Sequence, residues 1–157
     1  MIVLTKIILR DVKESDWDVL VRIRNEPDVR NASHNTSFFT PEKYKEYINN
    51  QISQNEKNCH WAVILDENEI IGHAKIINQE LGYLISGRFR NQGIGSKTIS
   101  LLFEKAREIG FSEVFDIVKV NQPISLWVAI KNKFTMIGVI SDKNSIPYAY
   151  KLVMNLK

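Results

Sequence analysis

A single cysteine among 157 residues leaves no internal disulfide, so this chain must hold together through the burial of apolar side chains. That residue, Cys59, opens an apolar run, where a small half-buried thiol is the plain reading, and no Cys/His array has zinc spacing, so no metal is expected. Glycine and proline are sparse, seven and four, and neither gathers into a linker, so one domain over residues 1–157 is expected. No run approaches the roughly 20 apolar residues of a membrane span. The opening MIVLTKIILR also lacks the charged, apolar and small-residue order of a signal peptide. A cytoplasmic chain without a membrane partner is the expectation. There is no block of like charge: 21 basic and 18 acidic residues are scattered to a net +3. The concentrated basic stripe of a nucleic-acid binder is therefore missing, while the mild surplus suits a small anionic ligand.

What is present is a hydrophobic fraction of 44%, enough for one core, and a clear succession of periodicities. Ile7 to Val12 reads as a strand. Ser15 is placed to cap a helix carrying Trp17, Leu20, Val21 and Ile23 or Arg24 on successive turns, which fades at Asn25-Glu26-Pro27. Arg30 to Phe39, rich in Asn, Ser, Thr and His, reads as a loop with apolar anchors. Thr40-Pro41 starts a second helix over 41–55, with Tyr44, Tyr47, Ile48 and Ile52 at helical spacing. From Cys59 the period shortens, and His60 to Leu65, Ile70 to Ile77 and Leu81 to Ser86 read as an antiparallel meander. Ile99, Leu102, Phe103, Ala106 and Ile109 then mark a helix that Gly110 can end. Glu113 to Val120 is a strand, Ile124 to Lys133 a helix, and Phe134 to Ile140 and Tyr148 to Met154 the last strands. The fold class is α/β (α+β), a mixed sheet with helices on both faces in the order βααβββαβαββ.

Chemistry concentrates at Gly87-Arg88-Phe89-Arg90-Asn91-Gln92-Gly93-Ile94-Gly95-Ser96. A strand ends there, two glycines permit close backbone approach, and a helix begins with unpaired N–H groups at the positive end of its dipole. Such a place binds anions and suits a pyrophosphate. Neither the dinucleotide fingerprint GxGxxG nor the P-loop GxxxxGK[ST] has the right spacing here.

The segment GYLISGRFRNQGIGSKTISLLFEKA resembles the signature of GNAT N-acetyltransferases, (Q/R)xxGxG/A between the fourth strand and the next helix. Arg90, Gly93 and Gly95 fall on its defining positions. The resemblance implies a mostly antiparallel GNAT-type sheet, acetyl-CoA as co-substrate and direct attack by an amine. It implies that the amides of Asn91, Gln92, Gly93, Ile94, Gly95 and Ser96 cradle the coenzyme A pyrophosphate, with charge from Arg90 and Lys97. The backbone of Leu84, Ile85 and Ser86 is expected to pair with the pantetheine arm in a splay between the fourth and fifth strands. The Ile85 amide then faces the thioester oxygen, where it stabilises developing negative charge.

An attacking amine must be neutral, so a proton needs a route away. Glu80 matches the acidic residue that often opens the fourth strand in the family and is the candidate base or water-holder, the alternative being a solvated turn residue. His73 and His34 are candidates for the acceptor pocket beside their bland structural readings. In VKVNQPISLWVAIKNKF, Ser125 and Phe134 fit the family pattern, and Asn121 or Gln122 supplies an amide. Ala129, however, stands in place of the usual aromatic and Lys133 in place of the usual glycine. In the family a tyrosine at that position often protonates the departing thiolate, so the resemblance implies that this acid is missing here and leaves Ser125, Tyr148 or water.

The stretch VRIRNEPDVRNASHNTSFFTPEKYKEYI resembles two GNAT branches, one acting on amino sugars carried by nucleotides and one on protein N-termini, especially of ribosomal proteins. Short length, no acidic patch for ribosomal contacts, and the polar loop favour the sugar nucleotide. Arg24, Asn25, His34, Phe38, Phe39 and His73 are the expected acceptor-binding residues. A domain that binds acetyl-CoA without transferring it is the alternative of another class. The last strands are common dimer elements in the family, which makes a homodimer an expectation.

Overall fold

Alternation of β-branched and aromatic residues produces the strands, and the turns between them carry the residues that tolerate their torsions. In the computed structural model, which describes residues 6–157, β2 (Cys59–Asp66), β3 (Glu69–Ile77) and β4 (Glu80–Ile85) form the expected meander. The opening MIVLT, read above for a leader, lies outside the described residues. Asn78 and Gln79 link β3 to β4 with φ of 48° and 73°. That pair of positive torsions makes a two-residue turn whose twist matches the strands it joins.

With β1 (Ile7–Asp11), β5 (Glu113–Lys119), β6 (Thr135–Ser141) and β7 (Pro147–Asn155), the sheet has seven strands in the order β1-β2-β3-β4-β5-β7-β6. Every neighbouring pair is antiparallel except β4–β5.

Both faces are covered. α1 (Trp17–Arg24) and α3 (Pro41–Asn55) bury Leu20, Val21, Tyr44 and Ile48 against Trp61, Val63 and Leu65. On the other face α4 (Ile94–Ile109) and α5 (Pro123–Lys131) pack Ile99, Leu102, Ala106 and Ala129 against Ile64, Ile76, Val114 and Leu152. Thr40 caps α3 through its hydroxyl, which accepts from the Lys43 amide at 3.3 Å. Gly110, at φ 105°, ends α4 by donating to the carbonyls of Ala106 and Arg107.

Two expectations need correction. Ser15 caps nothing: it is exposed inside a 3-10 turn over Glu14–Asp16. Asp16 is the structural residue, accepting from the Lys13 amide at 2.6 Å and from Arg10 at 2.9 Å, and the Arg10 guanidinium holds its carboxyl below the usual range. The second concerns the stretch after α1. Residues Pro27–Ala32 form a separate helix, α2, where the sequence reading had one helix fade into a loop, so the order is βαααβββαβαββ. Pro27 breaks α1 yet sits at the first turn of α2, where a missing N–H costs nothing.

Candidate active site

The strands β4 and β5 meet at one register position, Glu80 opposite Phe115, where the Phe115 amide donates to the Gln79 carbonyl at 2.9 Å. Beyond it they part, leaving a splay that opens toward the start of α4. The alternation of a strand decides which backbone groups face this gap. The Gln79 carbonyl points to β5, whereas the Ser86 amide donates to Ile71 of β3 at 2.8 Å. By parity Leu81, Tyr83 and Ile85 present their N–H and C=O groups to the splay. Leu84 presents its groups to β3, and Ser86, just past the strand, spends its N–H on Ile71 and its carbonyl on the Phe89 amide at 3.0 Å, so the expectation that their backbones pair with a pantetheine arm is corrected. Ile85 alone of those three remains an available strand partner.

At the open end, Asn91 at φ 61° and Gly93 at φ 75° turn the chain into α4. The Lys97 amide bonds the Gly93 carbonyl, and no side chain caps the helix, so the amides of Ile94, Gly95 and Ser96 point outward unpaired. A Cβ on Gly95 would lie 3.3 Å from the Tyr83 hydroxyl, so a side chain there crowds the mouth of the splay. The Ile94 side chain is buried in the core, and the Ser96 hydroxyl accepts from Asn132 Nδ2 at 2.9 Å, which ties α4 to α5. Arg90, Asn91, Gln92 and Lys97 are exposed around this end, with the Arg90 guanidinium 3.8 Å from Asp28. Uncapped amides beside cationic side chains, with a tight glycine in the first turn of the helix, fit a pyrophosphate joined to a slender arm.

The short helix α2 bridges the two parted strands. At its start the Glu26 carboxylate accepts from Ser86 Oγ at 2.7 Å and the Gly87 amide at 2.9 Å, fixing it to the end of β4. At its far end Lys119 of β5 donates to the carbonyls of Asn31 and Ser33, both at 3.1 Å, and His34 Nε2 lies 3.0 Å from the Ile117 carbonyl. His34 is thus brought to the splay by a contact with β5, as a consequence of the helix the sequence reading missed.

The remaining acceptor candidates divide. Asn25 uses both ends of its amide on Phe39, accepting from its N–H at 3.0 Å and donating to its carbonyl at 2.7 Å. Phe39 is itself buried against Tyr44 and Tyr47, with ring centroids 5.2 and 5.5 Å away, so it anchors the loop to α3. Phe38 is exposed, with Arg30 over its ring. Arg24 is buried, lies over the Phe39 ring and donates through Nη2 to the Asn35 carbonyl, while its Nη1 has no partner. His73 is buried with Nε2 2.5 Å from the Tyr44 hydroxyl and Nδ1 unpartnered. Burial first, then Lys75 and Arg24, holds His73 well below its ordinary value, so the ring is neutral at pH 7.

Glu80 is half-buried at the closed end of the splay, on the α1/α3 face beside Lys75, whose amine burial pushes down and Glu80 pulls back up. On β5, Asp116 escaped the sequence reading. Its signal was an acidic residue between Val114 and Val118 on the core-facing side of an apolar strand, and burial followed by the Glu80 charge pushes it up to about 7. Asn121 and Gln122 form the turn into α5, where the Gln122 carbonyl accepts from Leu126 and Ser125 is half-buried in the first turn. Ala129 is fully buried in the core. Lys133 adopts φ 74°, the left-handed conformation that glycine takes most easily. A separate cavity of about 320 Å³, lined by Arg10, Asp11, His60, Leu101 and Glu104 among others, sits between β1 and α4, away from the splay.

Comparison with known proteins agrees with this geometry. The chain matches the acetyltransferase (GNAT) domain model over residues 6–135. No curated protein matches its sequence. Among solved structures it is similar to a spermidine N-acetyltransferase from Vibrio cholerae in complex with CoA and spermine, with 13% identity, 96% of this chain and 95% of that one covered and a TM-score of 0.83. It is also similar to the acetyltransferase of Salmonella typhimurium that modifies the N-terminal serine of ribosomal protein L7/L12, with 18% identity, coverage of 100% and 98% and a TM-score of 0.81. The aminoglycoside acetyltransferase AAC(6')-Ib in complex with coenzyme A shares 14% identity, covers 96% and 95% and gives a TM-score of 0.81. At such identities these likenesses establish the fold, and the domain match establishes the family. The chain belongs to the GNAT acetyltransferase family and is an acyltransferase that uses acetyl-CoA as co-substrate.

Proposed function

We propose that this enzyme acetylates a primary amine carried on an anionic or hydrogen-bond-accepting molecule, best matched by an amino-sugar nucleotide. The observation behind this is the unpartnered Nη1 of buried Arg24 on the face opposite α4. A buried guanidinium donor with no partner is costly in the free protein and gains when a substrate oxygen reaches it. Lys75 lies on the same face and Lys119 at the end of the splay, where Glu80 is the acid of that face, Glu26 is held by Ser86 and Gly87, and Asp116 faces the other side. A polyamine or aminoglycoside brings several positive charges and meets repulsion there.

In this reading the Ile94, Gly95 and Ser96 amides hold the pyrophosphate, and Arg90 adds charge. The Ile85 amide polarises the thioester carbonyl, and Asn121, Gln122 and Ser125 border the arm from α5. Acetyl-CoA supplies an activated acyl group. Glu80, directly or through water, takes the proton that the amine nitrogen loses. Holding amine and thioester together on opposite sides of the splay supplies much of the acceleration without a covalent enzyme intermediate.

A second reading, a protein N-terminus, draws on the full-length fold likeness to the ribosomal-protein enzyme, since Arg24 also suits a peptide carbonyl. Thiol release from acetyl-CoA is to be measured with spermidine, a serine-initiated peptide and a nucleotide-linked amino sugar. Turnover confined to the sugar nucleotide supports the first reading and turnover confined to the peptide the second. Efficient turnover of spermidine overturns both. Arg24→Met should raise the KM of the acceptor and leave that of acetyl-CoA unchanged.

A further inference from the structure

The family pattern leaves one proton without an owner. When the C–S bond breaks the sulfur must be neutralised, and Ala129, at the position of the usual aromatic, is an apolar side chain sealed in the core. Of the sequence-based substitutes, Tyr148 lies on β7, separated from the splay by β5, and nearly half exposed, at 46%. The strand that borders the splay carries a better candidate.

Along β5 the side chains of Val114, Asp116 and Val118 share the face that packs under α4 and α5, and both valines are buried. An aspartate is the least expected residue there, being disfavoured in strands and costly to bury unpaired. Among the described residues no cationic side chain pairs with it. Its polar help is the Ile117 backbone amide. The lysines of the neighbouring positions are turned away: Lys119 reaches over the α2 end, and Lys151 of β7 lies over the Phe115 ring on the opposite face. From β4, Glu80 and Tyr83 are the titratable groups that act on it. Asp116 is only half-buried and stands on the strand that borders the splay, one residue past the position where β4 and β5 pair. An acidic residue on the core face of a strand, with no cationic partner among the described residues, is the kind of local exception that function explains.

We propose that Asp116 is the proton donor to the departing coenzyme A sulfur. This rests on the placement of the acyl-bearing arm in the splay argued above. The amine nitrogen forms a C–N bond to the acetyl carbon, the C–S bond breaks, and its electron pair takes the proton from the Asp116 carboxyl. The surplus proton of the amine leaves through Glu80 or water, and Asp116 is reprotonated from water. The sum is amine plus thioester giving amide plus thiol. Burial and the Glu80 charge push the Asp116 carboxyl up to about 7, so a protonated form is accessible at neutral pH. Tyr83, whose hydroxyl burial pushes up, stays neutral beside it.

The test needs two readouts. In the coenzyme-free protein, carbon-13 NMR should show one carboxyl titrating near 7, absent from Asp116→Asn. In kinetics, Asp116→Asn should lower kcat about 10- to 100-fold at neutral pH, and the falling high-pH limb of the wild-type profile should vanish. Asp116→Glu should restore part of both. Coenzyme A affinity by calorimetry should stay within about twofold, the scale of a surface change. Loss of that affinity in the wild-type protein sinks the splay reading, whereas normal affinity with unchanged kcat in Asp116→Asn sinks this proposal alone. A carboxyl that titrates near 4 also overturns it. Removing a raised carboxyl should not impair folding above pH 7. Should Asp116→Asn fail to accumulate, Asp116→Ser is judged by the same criteria, and the wild-type titration stands regardless.

Discussion

Glu26, in the residue before α2, holds Ser86, the residue after β4, through a hydroxyl hydrogen bond of 2.7 Å. With the Gly87 amide bond from the same carboxylate, this contact fixes the bridging helix to the rim of the splay. Glu26→Ala removes two charge-assisted bonds in a half-buried place and should cost about 1–3 kcal/mol. A urea midpoint measures that loss. Because α2 then swings from its strand, the KM for acceptor should rise as well, and a stability loss with unchanged KM would make the bridge a scaffold only.

Gly95 and Ser96 offer a contrast within one helical turn. Gly95→Val places branched carbons against Tyr83, whose hydroxyl is already 3.3 Å from an ideal Cβ, and should displace the first-turn amides. Loss of about 3 kcal/mol of charge-assisted bonding corresponds to on the order of 100-fold in coenzyme A affinity. Ser96→Ala deletes a hydroxyl engaged by Asn132 and keeps its amide, so calorimetry should find its affinity nearly that of wild type. Equal losses in both would show that the hydroxyl, and not the backbone, is what the ligand contacts.

His73 makes stability depend on acid. Its folded-state value lies well below the ordinary 6.5, so the unfolded chain binds more protons in the window between the two. Stability from this group is complete above about pH 6.5 and is lost as pH falls toward the depressed value. His73→Gln retains a partner for Tyr44 without the titration. Melting curves at pH 7.5 and 5.5 should therefore show a larger drop for wild type than for the variant, and equal drops would refute the assignment.

Lys133 holds a backbone conformation that a Cβ disfavours, at φ 74°. Its amide and that of Phe134 close α5 by donating to Ile130 and Ala129 at 3.1 Å each. Lys133→Gly should relieve the left-handed strain and stabilise the protein by about 1 kcal/mol. Thermal unfolding checks the sign: a lower midpoint would mean that the lysine side chain contributes more than its backbone costs.

The sequence by itself determined the meander, because alternation over β2 to β4 and the Asn78-Gln79 turn are encoded in adjacent residues. It also determined the candidate anion-binding end, because Arg90, Gly93, Gly95 and the start of a helix all lie within a few positions. Lys133 is of the same kind, a substitution whose backbone duty remained visible in the pattern. What tertiary structure decided depends on residues distant in sequence. The bridge of α2 across the splay joins Glu26 to Ser86 and Lys119 to Asn31, and Pro27, read locally as an ending, is also a beginning. The roles of Leu84 and Ile85 separate only when the direction of β3 is known, since a strand's neighbours fix which backbone groups remain free. Asp116 is the sharpest case: a single acidic letter in VFDIV acquires meaning only where two strands part and burial meets the charge of Glu80.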